Sequence, residues 1–216
     1  MMYRSVDNLC AVSFSGMCLK RSNGAKISDE EAIAILTSSP LDFELVRSGF
    51  DQSALGLLED LIDHSRYERG ARMSEAPRVV DCSSLAKWFY AQYGIWLPRR
   101  SIQQSEIGLC VAHEITLRPG DLVFSAHSER NYYDHDPSMG IGHVGIATGR
   151  GTLYHAGKNG VVQTDIAEVV GWRMERMRTV RRIIVNPNDF HVLRTNPRWE
   201  VETSDDLRWL ILQNSD

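Results

Sequence analysis

Apolar residues along the chain follow two periods, and the change from one to the other divides the sequence. From Asp51 they fall at Leu55, Leu58, Leu61 and Ile62, steps of three and four that share one face of a helix. A second run at Leu85, Trp88, Phe89 and Tyr93 predicts a helix that opens at Cys82. Gly94 is placed to end that helix, and Leu97-Pro98 prevents its continuation. After the turn signature Arg118-Pro119-Gly120-Asp121 the pattern becomes strand-like. Strands are expected at Leu122 to Phe124, Gly142 to Ile146, Leu153 to Gly157, Val161-Val162 and Val180 to Val185, with a short helix at Ile166 to Val170.

The ends of the chain read differently. Cys10 to Phe14 has the character of a strand, and Asn23-Gly24 is a tight-turn dipeptide. Ser28-Asp29-Glu30-Glu31 has capping-box spacing and opens a helix through Ala32, Ile33 and Leu36. Beyond Val185, Asn186-Pro187 and Asn196-Pro197 punctuate a tail with one helix near Leu207 to Leu212. The expected organisation is an N-terminal extension (1–50), an α+β domain (51–185) and a C-terminal tail (186–216).

Composition narrows the function classes. With 216 residues, 43% apolar and 24% charged, the chain can bury a sizeable core. A formal net charge of −4 argues against nucleic-acid binding through bulk positive charge. Arg173, Arg176, Arg178, Arg181 and Arg182 cluster locally and read as a solvated face with ion pairs. No apolar run approaches the ~20 residues of a membrane span. Leu9 to Leu19 is broken by Ser13, Ser15 and Gly16 and is not a convincing export signal, so the compartment stays open. The four cysteines form no CxxC pair, and Cys110 reads as a small buried hydrophobe.

The candidate chemistry is that of a thiol hydrolase. Cys82 stands where the apolar Val79-Val80 gives way to a helix, and the positive end of the helix dipole favours thiolate there. His143 and His155 follow in two strands joined by Gly149-Arg150-Gly151. A three-residue loop pairs Thr148 with Thr152 and sets Gly145 opposite His155, which puts both histidines diagonally on one face. A two-residue turn would shift the register by one and throw His155 to the other face. His143 is then the expected base for Cys82, and His155 the residue that fixes its ring. The Cys82 backbone N–H is the expected oxyanion donor, Asp81 the expected helix cap, and Gly145 leaves room for a helix end.

These blocks resemble the NlpC-type cysteine peptidases, papain-like enzymes that cut the peptide stems of peptidoglycan. The resemblance covers about Leu55 to Ile184 and rests on five ordered stretches. They are Asp81-Cys82-Ser83-Ser84-Leu85, Gly94 to Ser101 followed by Gln104, Leu117 to Phe124, Gly142 to Ile146 and Tyr154-His155-Ala156. It implies an α+β papain-like fold with the nucleophile helix packed on an antiparallel sheet. It also implies Cys82 as nucleophile, His143 as acid and base, His155 as orienting member, and Tyr67, Asp81 and Ser83 as substrate contacts. The implied reaction is hydrolysis of a D-glutamyl-diaminopimelate amide through an acyl-enzyme, with no metal or cofactor. The alternatives are a related thiol amidase or acyltransferase, or a catalytically silent wall-binding module.

The sequence departs from the family pattern at a few positions. Ser84 stands for a usual glycine and is expected to crowd the helix start, Ser125 stands for a common aromatic, and Arg100 for a small residue. The stretch from Ser125 to Ile141, with His127, Glu129, Asp134, His135 and Asp136, matches no standard metal spacing and reads as a polar loop over the cleft.

Overall fold

The structure is a computed structural model that describes residues 3–112, 116–126, 140–171 and 175–215. The chain forms two compact units. One comprises Met1–Phe50, Tyr90–Trp96 and Asn186–Asp216, the other Asp51–Phe89 and Leu97–Val185.

The first unit is built on a three-stranded antiparallel sheet of β1 (Leu9–Val12), β11 (His191–Arg194) and β2 (Glu44–Ser48), in that order. The middle strand comes from the far end of the sequence, so the expected extension and tail share one sheet. Cys10 lies opposite Leu193 and Ala11 opposite Val192. Helices α1 (Asp29–Thr37) and α6 (Ser204–Gln213) supply Ala32, Leu36, Leu207, Leu210 and Ile211 to a core that also holds Val12 and Leu193. The Ser28 box forms as its spacing predicts: Ser28 Oγ accepts the Glu31 N–H at 3.2 Å, and Glu31 Oε2 accepts the Ser28 N–H at 2.9 Å.

The second unit carries a six-stranded antiparallel sheet. Its members are β5 (Leu109–Val111), β6 (Leu122–Ser125), β7 (His143–Ala147), β8 (Thr152–Gly157), β9 (Gly160–Asp165) and β10 (Met177–Arg182). The order across the sheet is β5-β10-β6-β7-β8-β9. Val123, Ala147, Leu153, Met177 and Val180 pack together with Ile166 and Val170 of α5 (Ile166–Val170). A two-stranded parallel pair, β3 (Arg66–Tyr67) with β4 (Val79–Val80), leads into α3 (Cys82–Ala91), and α4 (Ser101–Gln104) follows.

Several expectations need correction. The helical pattern from Asp51 yields only a 3-10 turn at Gln52–Leu55 and a single turn, α2 (Gly56–Glu59). Four leucines and isoleucines in register cannot hold a longer helix where a bend and β3 must follow within a few residues. Arg182 is not on a solvated face. It is buried, with Nε and Nη2 donating to the two oxygens of Asp121 at 2.8 and 2.7 Å. Cys110 is exposed, because β5 is the outer strand of its sheet. Gly94 does follow the α3 helix with φ at +67°, and a Cβ there would lie 2.8 Å from the Leu9 carbonyl carbon.

Candidate active site

Asp81 sets the entrance of α3. Its Oδ1 accepts the Ser84 N–H at 2.7 Å, as an N-cap should, and the Ser84 hydroxyl accepts the Asp81 N–H at 2.8 Å. The two residues therefore close a reciprocal box, and the serine that was expected to crowd the helix start completes its cap instead. The remaining capacity of Asp81 is also used. Oδ2 accepts the Gly70 N–H at 3.0 Å, and Ser83 Oγ donates to Oδ1 at 3.2 Å.

Arg99 grips this cap from the loop after the helix. Its Nη1 donates to Asp81 Oδ1 at 3.0 Å and to Ser83 Oγ at 2.9 Å, while Nη2 donates to Asp81 Oδ2 at 2.6 Å and to the Ala71 carbonyl at 2.5 Å. The charge and the donated hydrogen bonds outweigh burial and hold the Asp81 carboxyl below its usual range. Gln104, fully buried on α4, adds a second clasp: its Nε2 donates to the carbonyls of Ser83 at 2.9 Å and Pro98 at 2.8 Å. The sequence reading gave Arg99 and Gln104 no role. The only signal was their place in the stretch that follows the nucleophile helix.

Cys82 occupies the first helical position, where the backbone N–H has no intrahelical acceptor. The Val144 and Ser83 N–H groups donate toward its sulfur. The β7–β8 ladder pairs Ile146 with Tyr154 and Ala147 with Leu153, so Val144 lies beyond the recorded pairing. The sulfur thus sits at the strand beside His143. The helix end, which favours thiolate, is opposed: burial, and after it the Asp81 carboxylate, push the thiol up to about 11. Desolvation outweighs the helix end, the two N–H groups and Arg99.

The histidines meet. The Thr148 N–H donates to the Thr152 carbonyl at 3.0 Å across the loop, and Ala147 lies opposite Leu153. One more step of that register sets Gly145 opposite His155. His143 Nε2 lies 3.0 Å from His155 Nδ1, with ring centroids 4.9 Å apart and planes at 85°. That contact engages Nε2 of His143, so a proton exchanged with a thiol would go through Nδ1. Burial lowers the pKa of His155, partly offset by a backbone hydrogen bond at Ala156, which favours the neutral ring. The space at Gly145 does not admit a helix end: a Cβ there would lie 2.7 Å from Leu153 Cδ1, so the Leu153 side chain fills it.

Tyr67 lies on β3 opposite Val80, two residues before the cysteine, and the Glu68 N–H donates to the Val80 carbonyl at 3.0 Å. Its hydroxyl titrates high because of burial first, then the proximity of Cys82 and Asp81. Ser83 is buried and committed to Asp81 and Arg99. The structure joins His143 to His155 and gathers Tyr67, Asp81 and Ser83 around Cys82, whose sulfur takes the Val144 N–H from the strand of His143, although Asp81 and Ser83 are already spent on the helix entrance. His127, Glu129, Asp134, His135 and Asp136 lie outside the described residues.

Known proteins carry the same arrangement of segments. A model of the NlpC/P60 family matches residues 65–181, more than half of the chain. Among curated proteins, the probable endopeptidase p60 of Listeria innocua is 38% identical over 96 residues, 44% of this chain and 18% of that protein. The peptidoglycan DL-endopeptidase CwlO of Bacillus licheniformis is 28% identical over 137 residues, 62% of this chain and 28% of that one. This chain thus spans less than a third of the length of either relative. Among solved structures, an NlpC/P60 family protein from Bacillus cereus superposes with a TM-score of 0.50 at 23% identity, covering 62% of this chain and 40% of that one. NlpC1 from Trichomonas vaginalis gives 0.50 at 24%, covering 64% and 46%. These two likenesses establish the α+β papain-like fold. The match over residues 65–181 establishes more: the chain belongs to the NlpC/P60 family.

Proposed function

We propose that this protein is a cysteine endopeptidase that hydrolyses a D-glutamyl-diaminopimelate amide in peptidoglycan stem peptides. The observation that carries the reading is the 3.0 Å contact between His143 and His155 at the strand where the Cys82 sulfur accepts the Val144 N–H. Membership of the family, and relatives named as peptidoglycan DL-endopeptidases, support the substrate class. The chemistry is assigned to the domain expected over 51–185, with the segments 1–50 and 186–216 outside it.

Burial and the Asp81 carboxylate oppose a standing thiolate, so attack is read as coupled to proton transfer. The Cys82 sulfur adds to the scissile carbonyl carbon as His143 Nδ1 takes the thiol proton, and the Cys82 N–H donates to the oxyanion. His155, neutral, accepts from His143 Nε2–H and holds the ring in the tautomer whose Nδ1 is the basic nitrogen. The tetrahedral intermediate collapses when the C–N bond breaks and the amine leaves with the proton from His143. Water then adds to the thioester, giving a proton to His143, and the carboxylate product departs as the sulfur regains its proton. Tyr67, close enough to Cys82 to feel its charge, and the Asp81–Ser83 edge are assigned to the stem peptide. Such a substrate requires access to the wall, periplasmic or extracellular.

The test is digestion of purified wall material with mass analysis of the fragments. Cleavage between D-glutamate and diaminopimelate, lost in Cys82→Ala with the fold intact, is expected. Unchanged digestion by Cys82→Ala would reject the nucleophile, and release of other fragments would reject the scissile bond.

A further inference from the structure

Ser125 ends β6 directly opposite His143 of β7, and on its other side it lies opposite Met177 of β10. Directly opposed residues of antiparallel strands share a face, so the serine and histidine side chains leave the sheet together. The residue is 1% exposed, and its Oγ has no hydrogen-bond partner among the described residues. A buried hydroxyl without a partner costs stability that an alanine in the same place would not. A group placed at such a cost, next to the imidazole that must carry a proton, calls for a role outside the resting state.

We propose that Ser125 is a positioning residue whose buried hydroxyl rotates its hydrogen away and presents an oxygen lone pair to the His143 ring when that ring is protonated, and so stabilises the imidazolium of the proton shuttle. The inference rests on the reading of Cys82 and His143 as nucleophile and base. A hydroxyl rotor is suited to this because it adapts without a heavy-atom movement. With no partner to surrender, it can point its dipole at a charge that exists only during turnover. The need for such help follows from the site: the thiol is a poor proton donor, and a neutral His155 brings no charge of its own to the pair. Among the described residues, the titratable groups around the Cys82–His143 pair include His155 on β8, Tyr67 on β3, and Asp81 and Arg99 at the helix entrance. None of them opposes His143 across the β6–β7 ladder, where Ser125 sits.

The test is Ser125→Ala, which deletes one oxygen. Two readouts go with thermal unfolding: turnover of muropeptides from purified wall material, and the rate of Cys82 alkylation by iodoacetamide against pH. The expected result is a kcat about tenfold lower, with KM within about twofold. The acid limb of alkylation moves to higher pH, because the thiolate–imidazolium pair is harder to form. The unfolding temperature stays the same or rises. Ser125→Thr, which keeps the hydroxyl, returns the alkylation limb toward that of the parent protein. A Ser125→Ala protein with unchanged kcat and unchanged limb would overturn the role, as would a loss of activity matched by a loss of stability. The underlying reading fails separately: if the parent protein neither cleaves muropeptides nor alkylates at Cys82, the hydrolase assignment falls and this inference falls with it.

Discussion

Arg99 holds Asp81 with both terminal guanidinium nitrogens, Nη1 to Oδ1 at 3.0 Å and Nη2 to Oδ2 at 2.6 Å, one residue away from Cys82. The pair has two effects of opposite sign on Cys82. The carboxylate discourages a second negative charge on the thiol, and the guanidinium encourages it. Keeping Asp81 as a helix cap therefore depends on neutralising it from the side of Arg99.

Opposite substitutions should move the thiol in opposite directions. Arg99→Ala leaves Asp81 uncompensated, so Cys82 alkylation should need higher pH. The Arg99 side chain is 32% exposed, so stability should fall by only about 1–2 kcal/mol. Asp81→Asn removes the repelling charge while an amide oxygen still caps the helix, and should shift alkylation to lower pH. Iodoacetamide rates across pH 5–10 measure both. Shifts of the same sign in the two variants would show that the cap, not the charge, governs the thiol.

The Ser84 box is a separate matter of stability. Ser84→Ala removes the acceptor of the Asp81 N–H inside a buried site and should cost about 1 kcal/mol in urea unfolding. Ser84→Gly should cost more, through the added freedom of the unfolded chain. If glycine proved the more stable, the box would contribute less than the crowding it replaces.

Much of this site could be read from the sequence, and the parts that could not share a physical cause. The α3 helix, the two histidine strands and their register are local properties: a 3.6-residue period, alternation at two, and a glycine-flanked loop between Thr148 and Thr152. The partnership of β1, β11 and β2 is not local. Cys10 meets Leu193 only when the chain has folded, and nothing near either residue names the other. The same holds for charges. Five arginines within ten residues look alike in sequence, yet Arg182 is buried on Asp121 because the Arg118–Asp121 turn happens to face it. The thiol's surroundings follow the same rule: a helix entrance is visible in the sequence, whereas desolvation depends on what later covers it.

His155 links the site to pH. Its folded pKa lies below the ordinary value near 6.5 because of burial. As pH falls, the unfolded chain takes up the proton first, so His155 contributes stability that is present above about 6.5 and lost as pH drops through the folded value. His155→Gln should therefore flatten the fall of urea-unfolding stability between pH 7 and 5. The same variant should lower kcat by roughly 10²-fold, because the amide orients His143 less well. An unaltered pH slope would mean that His155 is as easily protonated in the fold as in the unfolded chain.

Arg182 and Asp121 offer the largest expected effect on stability away from the thiol. Their side chains are 7% and 1% exposed, and Asp121 also accepts the Arg118 N–H at 2.8 Å, so the carboxylate ties β10 to the turn that starts β6. Deleting one member of a buried pair leaves the other desolvated and unpaired, whereas replacing both removes the desolvation along with the attraction. Arg182→Met should therefore cost about 3–5 kcal/mol, and the double variant Arg182→Met with Asp121→Leu clearly less. Because β6 also ends in Ser125 opposite His143, the single variant should lose activity in step with folded fraction rather than before it. Urea unfolding followed alongside turnover separates the cases. A single variant as stable as the parent would mean that water reaches Asp121 in place of the guanidinium, and that the turn before β6 is held by its backbone alone.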